Sequence, residues 1–159
     1  IKFILIFQCI FNILIFKHSN NVINKLIYFM DVHELVWKAA EIISSKYYKN
    51  GEISIVDIPV GGDRKQVVYA KLKIIDGEKY GLVFSKIGKA SENTNTMQLL
   101  KINYFLNYSK ISVTPDGMLC TLAAFPSETS NPFEVSKILK EVGKIADDIE
   151  KDILKLDLS

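Results

Sequence analysis

The stretch Lys65–Ser85 constrains this chain more tightly than any other. Within Lys65–Ile75, Val68, Ala70, Leu72 and Ile74 alternate with Val67, Tyr69, Lys71 and Lys73. Successive side chains leave a pleated strand on opposite sides, so a period of two marks a strand with one covered face. Asp76-Gly77 follows, a pair suited to the positive φ angles of a two-residue hairpin turn. Lys79–Ser85 then returns, with Tyr80, Leu82 and Phe84 on one face. A chain carrying such a hairpin must build an antiparallel sheet. Val68, Ala70, Leu72 and Ile74 are expected to face the layer that covers it.

The other elements fall around this hairpin. Asp31 is placed to cap a helix, with Glu34 three residues on. Val32, Leu35, Val36, Ala39, Ile42 and Ile43 recur at helical spacing, and this helix is expected to run to about Tyr48, stopped by Asn50-Gly51. Glu52–Val60 is rich in β-branched residues and reads as a strand. A polar loop at 86–96 leads to a short helix from Met97, whose Leu100, Ile102 and Phe105 leave few polar positions and predict burial. A second hairpin follows, Tyr108–Thr114 and Met118–Phe125, turned at Asp116-Gly117. Asn131, Pro132 and Glu134 open a final helix. Its apolar stripe is Val135, Ile138, Leu139, Val142, Ala146, Ile149 and Ile153.

The order is therefore α-βββ-α-ββ-α. It predicts an α+β, two-layer domain with a five-stranded antiparallel sheet and helices packed on one face. The other face is expected to carry Val67, Tyr69, Val83, Leu119 and Phe125, together forming an apolar patch that implies a partner.

The first 29 residues differ in kind. Twenty-four of them are Ile, Phe, Lys, Asn, Leu or Tyr, types encoded by codons rich in A and T, and none is Asp, Glu, Ala, Gly, Pro or Arg. Three readings fit. Residues 1–29 are upstream sequence translated in frame with a natural start at Met30; or Phe3–Phe16 is the apolar region of a signal peptide, although no small-residue cleavage site follows; or the segment is a membrane anchor. An anchor needs about 20 apolar residues, and the run here is about 14. The first reading is preferred, which leaves residues 30–159 as a single domain. That domain holds 17 Lys and Arg against 18 Asp and Glu, a net charge of −1. With one arginine, Arg64, it lacks the basic footprint of a nucleic-acid binder.

Catalytic parts are scarce. The domain has one histidine, His33, and one cysteine, Cys120, too few for a zinc set or a Cys/His nucleophilic pair. Cys120 is expected to be a small core residue and His33 a solvent-exposed one. The acidic run Asp147, Asp148, Glu150 and Asp152 is interrupted by lysine and reads as a solvated helix face. Gly61-Gly62-Asp63-Arg64-Lys65 invites comparison with a phosphate loop. Such a loop feeds a helix N-terminus, whereas these glycines feed a strand. Arg64 is expected to fork Glu52 or Asp57 across the first hairpin, with a partner's carboxylate as the other reading. No cofactor or metal is implied.

Two stretches resemble a known family. Arg64-Lys65-Gln66-Val67-Val68, then a DG turn and Ser85-Lys86-Ile87-Gly88, resembles the second and third strands of the YbjN-like family. Leu99-Leu100-Lys101-Ile102-Asn103, Tyr108-Ser109-Lys110-Ile111, Asp116-Gly117 and Ala123-Ala124-Phe125-Pro126 are similar to its central helix and hairpin. The element order is also that of the class I type III secretion chaperones, the CesT-like fold. The resemblance covers roughly residues 31–155. It implies a non-catalytic, cytoplasmic, homodimeric protein that holds a peptide segment of another protein, or a regulator. The secretion chaperones are usually acidic, and this domain is only slightly so. Arg64, Val67, Tyr69, Val83, Leu119 and Phe125 are the expected partner-binding residues. The alternatives are a membrane-tethered domain anchored by residues 1–29, and a phosphate-binding enzyme using Arg64 and the loop Lys86–Lys89.

Overall fold

The computed structural model describes residues 30–91 and 94–152. The readings offered for residues 1–29, and the place of Ile153 in the last apolar stripe, lie outside the described residues. Helix α1 spans Val32–Ile42, and Asp31 caps it, accepting from the Glu34 amide at 2.7 Å. It ends earlier than its sequence predicts. Ser44 takes a left-handed conformation with φ 52°, which no helix can continue. The chain then enters strand β1, Lys46–Asn50.

The sheet therefore has six strands and not five. Tyr47 and Tyr48, expected to end a helix, instead pair with Val56 and Ile55 of β2, Ile53–Gly61. Gly51, with φ 58°, turns this hairpin and caps no helix. Strand β3 is Arg64–Ile75 and β4 is Glu78–Lys89. Asp76 and Gly77 both have positive φ, 52° and 84°, the twist a tight two-residue turn needs. Helix α2, Thr96–Asn103, leads to β5, Lys110–Val113, and β6, Met118–Pro126. Helix α3, Pro132–Asp152, closes the described chain. Every neighbouring pair is antiparallel, in the order β1-β2-β3-β4-β6-β5.

Helices α1 and α3 pack on each other and on one face of the sheet. Leu35 and Val36 of α1, Val56, Val68 and Val83 of the strands, and Leu139 and Val142 of α3 form the main core, all within 1 % of full burial. Burying a side chain of this size stabilises by about 1.5–3 kcal/mol. A second core gathers Ile87, Leu99, Ile111, Leu119, Ala146 and Ile149 where α3 packs on β4 and β6 and α2 packs on β5. Of the β3 residues expected to face the helices, Val68 and Ala70 are fully buried. Leu72 and Ile74 are 45 % and 62 % exposed, because β3 runs on beyond the helices' cover.

Two glycines make room for a buried neighbour, Gly81 for Phe125 on the adjacent strand and Gly143 for Ile58 of the sheet below α3. A Cβ on Gly81 would stand 2.2 Å from Cζ of Phe125, and one on Gly143 of α3 would stand 2.9 Å from Cβ of Ile58. Both distances are far inside ordinary carbon–carbon contact.

Polar groups lock the covered face. Arg64 pairs with Asp147 of α3, where the sequence pointed to Glu52 or Asp57. Asp147 is only 8 % exposed, so this part of the acidic run is docked and not solvated. Gln66 donates through Nε2 to Ser85 Oγ at 3.0 Å, the Lys86 carbonyl at 3.3 Å and Glu150 Oε1 at 3.1 Å. Burial raises the Glu150 carboxyl above the usual range, as does the Asp147 charge; the Gln66 bond and Arg64 oppose the rise. His33 is half-buried, its Nδ1 2.8 Å from Ser54 Oγ.

Glu141 of α3 is a clamp. Its Oε1 accepts from the amides of Tyr108 at 2.8 Å and Ser109 at 2.7 Å, and from Ser109 Oγ at 2.8 Å. Its Oε2 accepts from the Asn107 amide at 3.3 Å. These bonds fasten the turn between α2 and β5 to α3.

Candidate partner-binding surfaces

No described helix covers the second face of the sheet. The strand register lays one row of residues across it: Tyr48, Ile55, Tyr69, Phe84, Leu122 and Lys110, each paired with the next on successive strands. Side chains directly opposed on neighbouring antiparallel strands touch. Here Tyr69 and Phe84 stack, ring centroids 5.4 Å apart and planes 23° from parallel. The result is an apolar rib running perpendicular to the strands. Its members from Tyr48 to Leu122 are half-buried or exposed, with no layer of the described residues above them.

A depression of about 280 Å³ opens beside the rib, lined by Lys71, Leu82, Phe84, Lys86, Cys120 and Leu122 and walled by the hairpin tip at Thr114, Asp116 and Met118. Asp116 is held below the usual carboxylate range, chiefly by its bond with Thr114 and secondarily by its own backbone, with Lys86 contributing. Burial raises the Cys120 thiol, and the Asp116 charge adds to this, so the thiolate nucleophile is disfavoured. Cys120 is buried, as expected.

The expected site residues divide between the two faces. Val67 and Tyr69 lie on the open face, Val67 37 % exposed. Val83, Leu119 and Phe125 lie on the opposite face, 0 %, 0 % and 2 % exposed, within the cores. Arg64 is turned to the helix side by Asp147. Register could have placed Val83 from sequence. A two-residue turn at 76–77 pairs Ile75 with Glu78, and counting outward pairs Ala70 with Val83, putting both on one face. Leu82, Phe84 and Leu122 take the places on the open face that had been assigned to Val83, Leu119 and Phe125.

A second apolar surface went unforeseen. Helix α2 was expected to be well buried, but only Leu99 is. Met97 is 63 % exposed and Leu100 57 %, and just past the helix end Tyr104 is 84 % exposed and Phe105 76 %. Leu99, with Ile102 and Leu106 beside it, anchors α2 to the second core; the rest of its surface faces outward.

The phosphate-loop comparison finds no geometry. Gly61 and Gly62 join β2 to β3, Arg64 is engaged with Asp147, and Lys86–Lys89 belongs to β4 and not to a loop. Among the described residues, no group of three or more His, Cys, Asp or Glu could hold a metal ion. None of their helices is long and apolar enough to cross a membrane.

These features define an α+β domain with helices on one face of an antiparallel sheet and exposed apolar surfaces elsewhere. No family model matches the sequence, and no curated protein matches it. Among solved structures, the fold is similar to that of the type III secretion chaperone SycH of Yersinia pestis, solved in complex with a stable fragment of YscM2. That likeness has a TM-score of 0.52 at 12 % identity, covering 74 % of this chain and 98 % of SycH. The chain is also similar to YbjN of E. coli, with a TM-score of 0.43 at 11 % identity, over 72 % of this chain and 86 % of that one. The likeness to SycH is one of fold, α+β with an antiparallel sheet and helices on one face, and the sheet here has six strands where the sequence predicted five.

Proposed function

We propose that this domain is a non-catalytic, chaperone-like protein-binding module of the cytoplasm that holds a peptide segment of a partner protein. The observation that carries this reading is the uncovered apolar rib of Tyr48, Ile55, Tyr69, Phe84 and Leu122. Contiguous exposed apolar surface of this kind marks interaction sites in proteins that remain monodisperse. The similarity to SycH, a chaperone solved with a partner's fragment, supports the same role.

The exposed side chains of α2 favour self-association as a second role. Aromatic residues dominate protein interfaces, and Tyr104 and Phe105 sit edge-to-face at 5.1 Å on this surface. A homodimer built through α2 leaves the sheet face open for the partner.

The test is site-specific photo-crosslinking in cells. A photoreactive residue at Tyr69 or Phe84 is expected to capture one reproducible partner segment, and the same group at exposed Lys140 of α3 is not. Equal capture from both positions, or none from the sheet, refutes the reading.

A further inference from the structure

The open sheet face carries charge as well as apolar surface, and the charge is one-sided. Register and alternation place Lys46, Lys65, Lys71, Lys73, Lys86 and Lys110 on this face. The strand carboxylates beside them are Asp57 and Glu78, and Glu78 accepts from Tyr80 Oη at 2.8 Å. Asp116 at the hairpin tip is the acidic group near Lys86. The domain as a whole is close to neutral, so the lysines are concentrated here, while Asp147 and Glu150 are engaged on the helix side.

Two of these lysines straddle the rib. Lys71 lies two residues beyond Tyr69 on one side, and Lys86 two residues beyond Phe84 on the other. At ~3.4 Å per residue they stand about 14 Å apart along the strand direction. A helix with its side chains is about 10–12 Å across. The rib from Tyr48 to Leu122 crosses β1, β2, β3, β4 and β6, a length of about 19 Å at ~4.8 Å per strand. That matches about 13 helical residues at 1.5 Å each. An extended peptide laid flat on this face would leave its backbone N–H and C=O groups unpartnered, whereas a helix satisfies its own.

We infer that the segment held on this face is an acidic amphipathic helix, lying along the rib with apolar side chains against Tyr69, Phe84 and Leu122 and carboxylates on both flanks paired with Lys71 and Lys86. This rests on the peptide-binding reading above and specifies the partner's chemistry. Lysine ammonium groups are point charges that need no fixed approach geometry. They therefore select for acidity and orientation rather than for one sequence, and steer association at low ionic strength.

The test uses the full chain and three synthetic helical peptides of about 14 residues, each with Leu on one face and its flanks Glu, Gln or Lys, together with vesicles of phosphatidylcholine and phosphatidylserine. Affinity is read by fluorescence anisotropy and location by NMR shifts at Tyr69, Phe84 and Leu122. The Glu peptide is expected to bind at this face at least about tenfold more tightly than the Lys peptide, to weaken with salt, and to lose that advantage in Lys71→Glu/Lys86→Glu. These are exposed positions, so the variant keeps the wild-type melting temperature. Equal or tighter binding of the Lys peptide at the same residues overturns the acidic specificity and leaves the peptide-binding reading standing. Binding of none of the three peptides at this face overturns both. Tight binding to phosphatidylserine vesicles without binding of the Glu peptide assigns the lysines to a membrane surface and overturns the inference.

Discussion

Glu141 offers the sharpest test of how this fold is held. Its carboxylate accepts four hydrogen bonds from the turn between α2 and β5, three of them from backbone amides. Bonds to a charged group contribute about 1.5–3 kcal/mol each when shielded from water. Here Asn107 and Tyr108 are exposed, so water takes over part of the work once the acceptor is gone. Glu141→Ala is therefore expected to cost about 2–4 kcal/mol in all, and Glu141→Gln, which keeps one acceptor oxygen, about half of that. For a domain of this size the alanine variant should melt about 10 °C lower. The pH dependence separates the charge from the geometry. Burial works to raise the Glu141 carboxyl, but the bonds from Tyr108, Ser109 and Asn107 outweigh it and hold it below the usual range. Its folded pKa is thus depressed. The stabilisation is fully present above the ordinary glutamate pKa of about 4.3 and is lost as pH falls through the folded value. Urea unfolding of wild type and Glu141→Gln across pH should show a constant gap near neutrality that closes in acid. Hydrogen exchange should show the Tyr108 and Ser109 amides losing protection first. An unchanged gap down to the acid limit, or equal stability at neutral pH, would refute the clamp.

Other predictions follow from the packing. Glu150 has a raised carboxyl pKa, so its ionised form weakens the fold as pH rises through that value; Glu150→Gln, which still offers Gln66 an acceptor, should melt slightly higher than wild type at pH 7 by calorimetry. Gly143→Ala should destabilise by about 1–2 kcal/mol, because overpacking against Ile58 exceeds the helix-propensity gain of about 1 kcal/mol. In an Ile58→Ala background the same change should become neutral or favourable, and a double-mutant cycle reads this directly. Leu119→Ala should cost about 2–5 kcal/mol and Leu122→Ala well under half as much, since only Leu119 is enclosed. A larger loss for Leu122→Ala in chemical denaturation would mean that the faces of β6 are reversed, and equal losses would refute the difference in enclosure. Phe105→Asp should leave the unfolding free energy within about 0.5 kcal/mol of wild type while shifting sedimentation toward monomer.

Local chemistry was legible where it decides local structure. Asp31 and Asn131 cap helices as their spacing predicts, Asp76-Gly77 turns the central hairpin, and the alternation of Lys65–Ile75 makes β3. The sixth strand was hidden because Tyr47 and Tyr48 continue a helical stripe acceptably; only the pairing of Tyr47 with Val56 and Tyr48 with Ile55 selects the strand. Burial of α2 was misread for a related reason. Apolar residues all round a helix suggest a core helix, but nothing in the sequence says that α2 is anchored mainly through Leu99 and sits at the end of the sheet.

What the sequence determined by itself is therefore the element types, the turns, the α+β class and the shortage of catalytic side chains. What only the tertiary structure decided is which apolar residues remain in contact with water. Leu119, Thr121, Ala123 and Phe125 alternate with Cys120, Leu122 and Ala124, and both sets are apolar enough to be buried. The choice between them is made by β4 pairing with β6, two strands brought together across the whole α2–β5 segment. Alternation gives the period of a strand but not its phase. The phase comes from a neighbour that is distant in sequence, and it is the phase that sends Leu119 and Phe125 into the core and leaves Leu122, with Tyr69 and Phe84, on the open face.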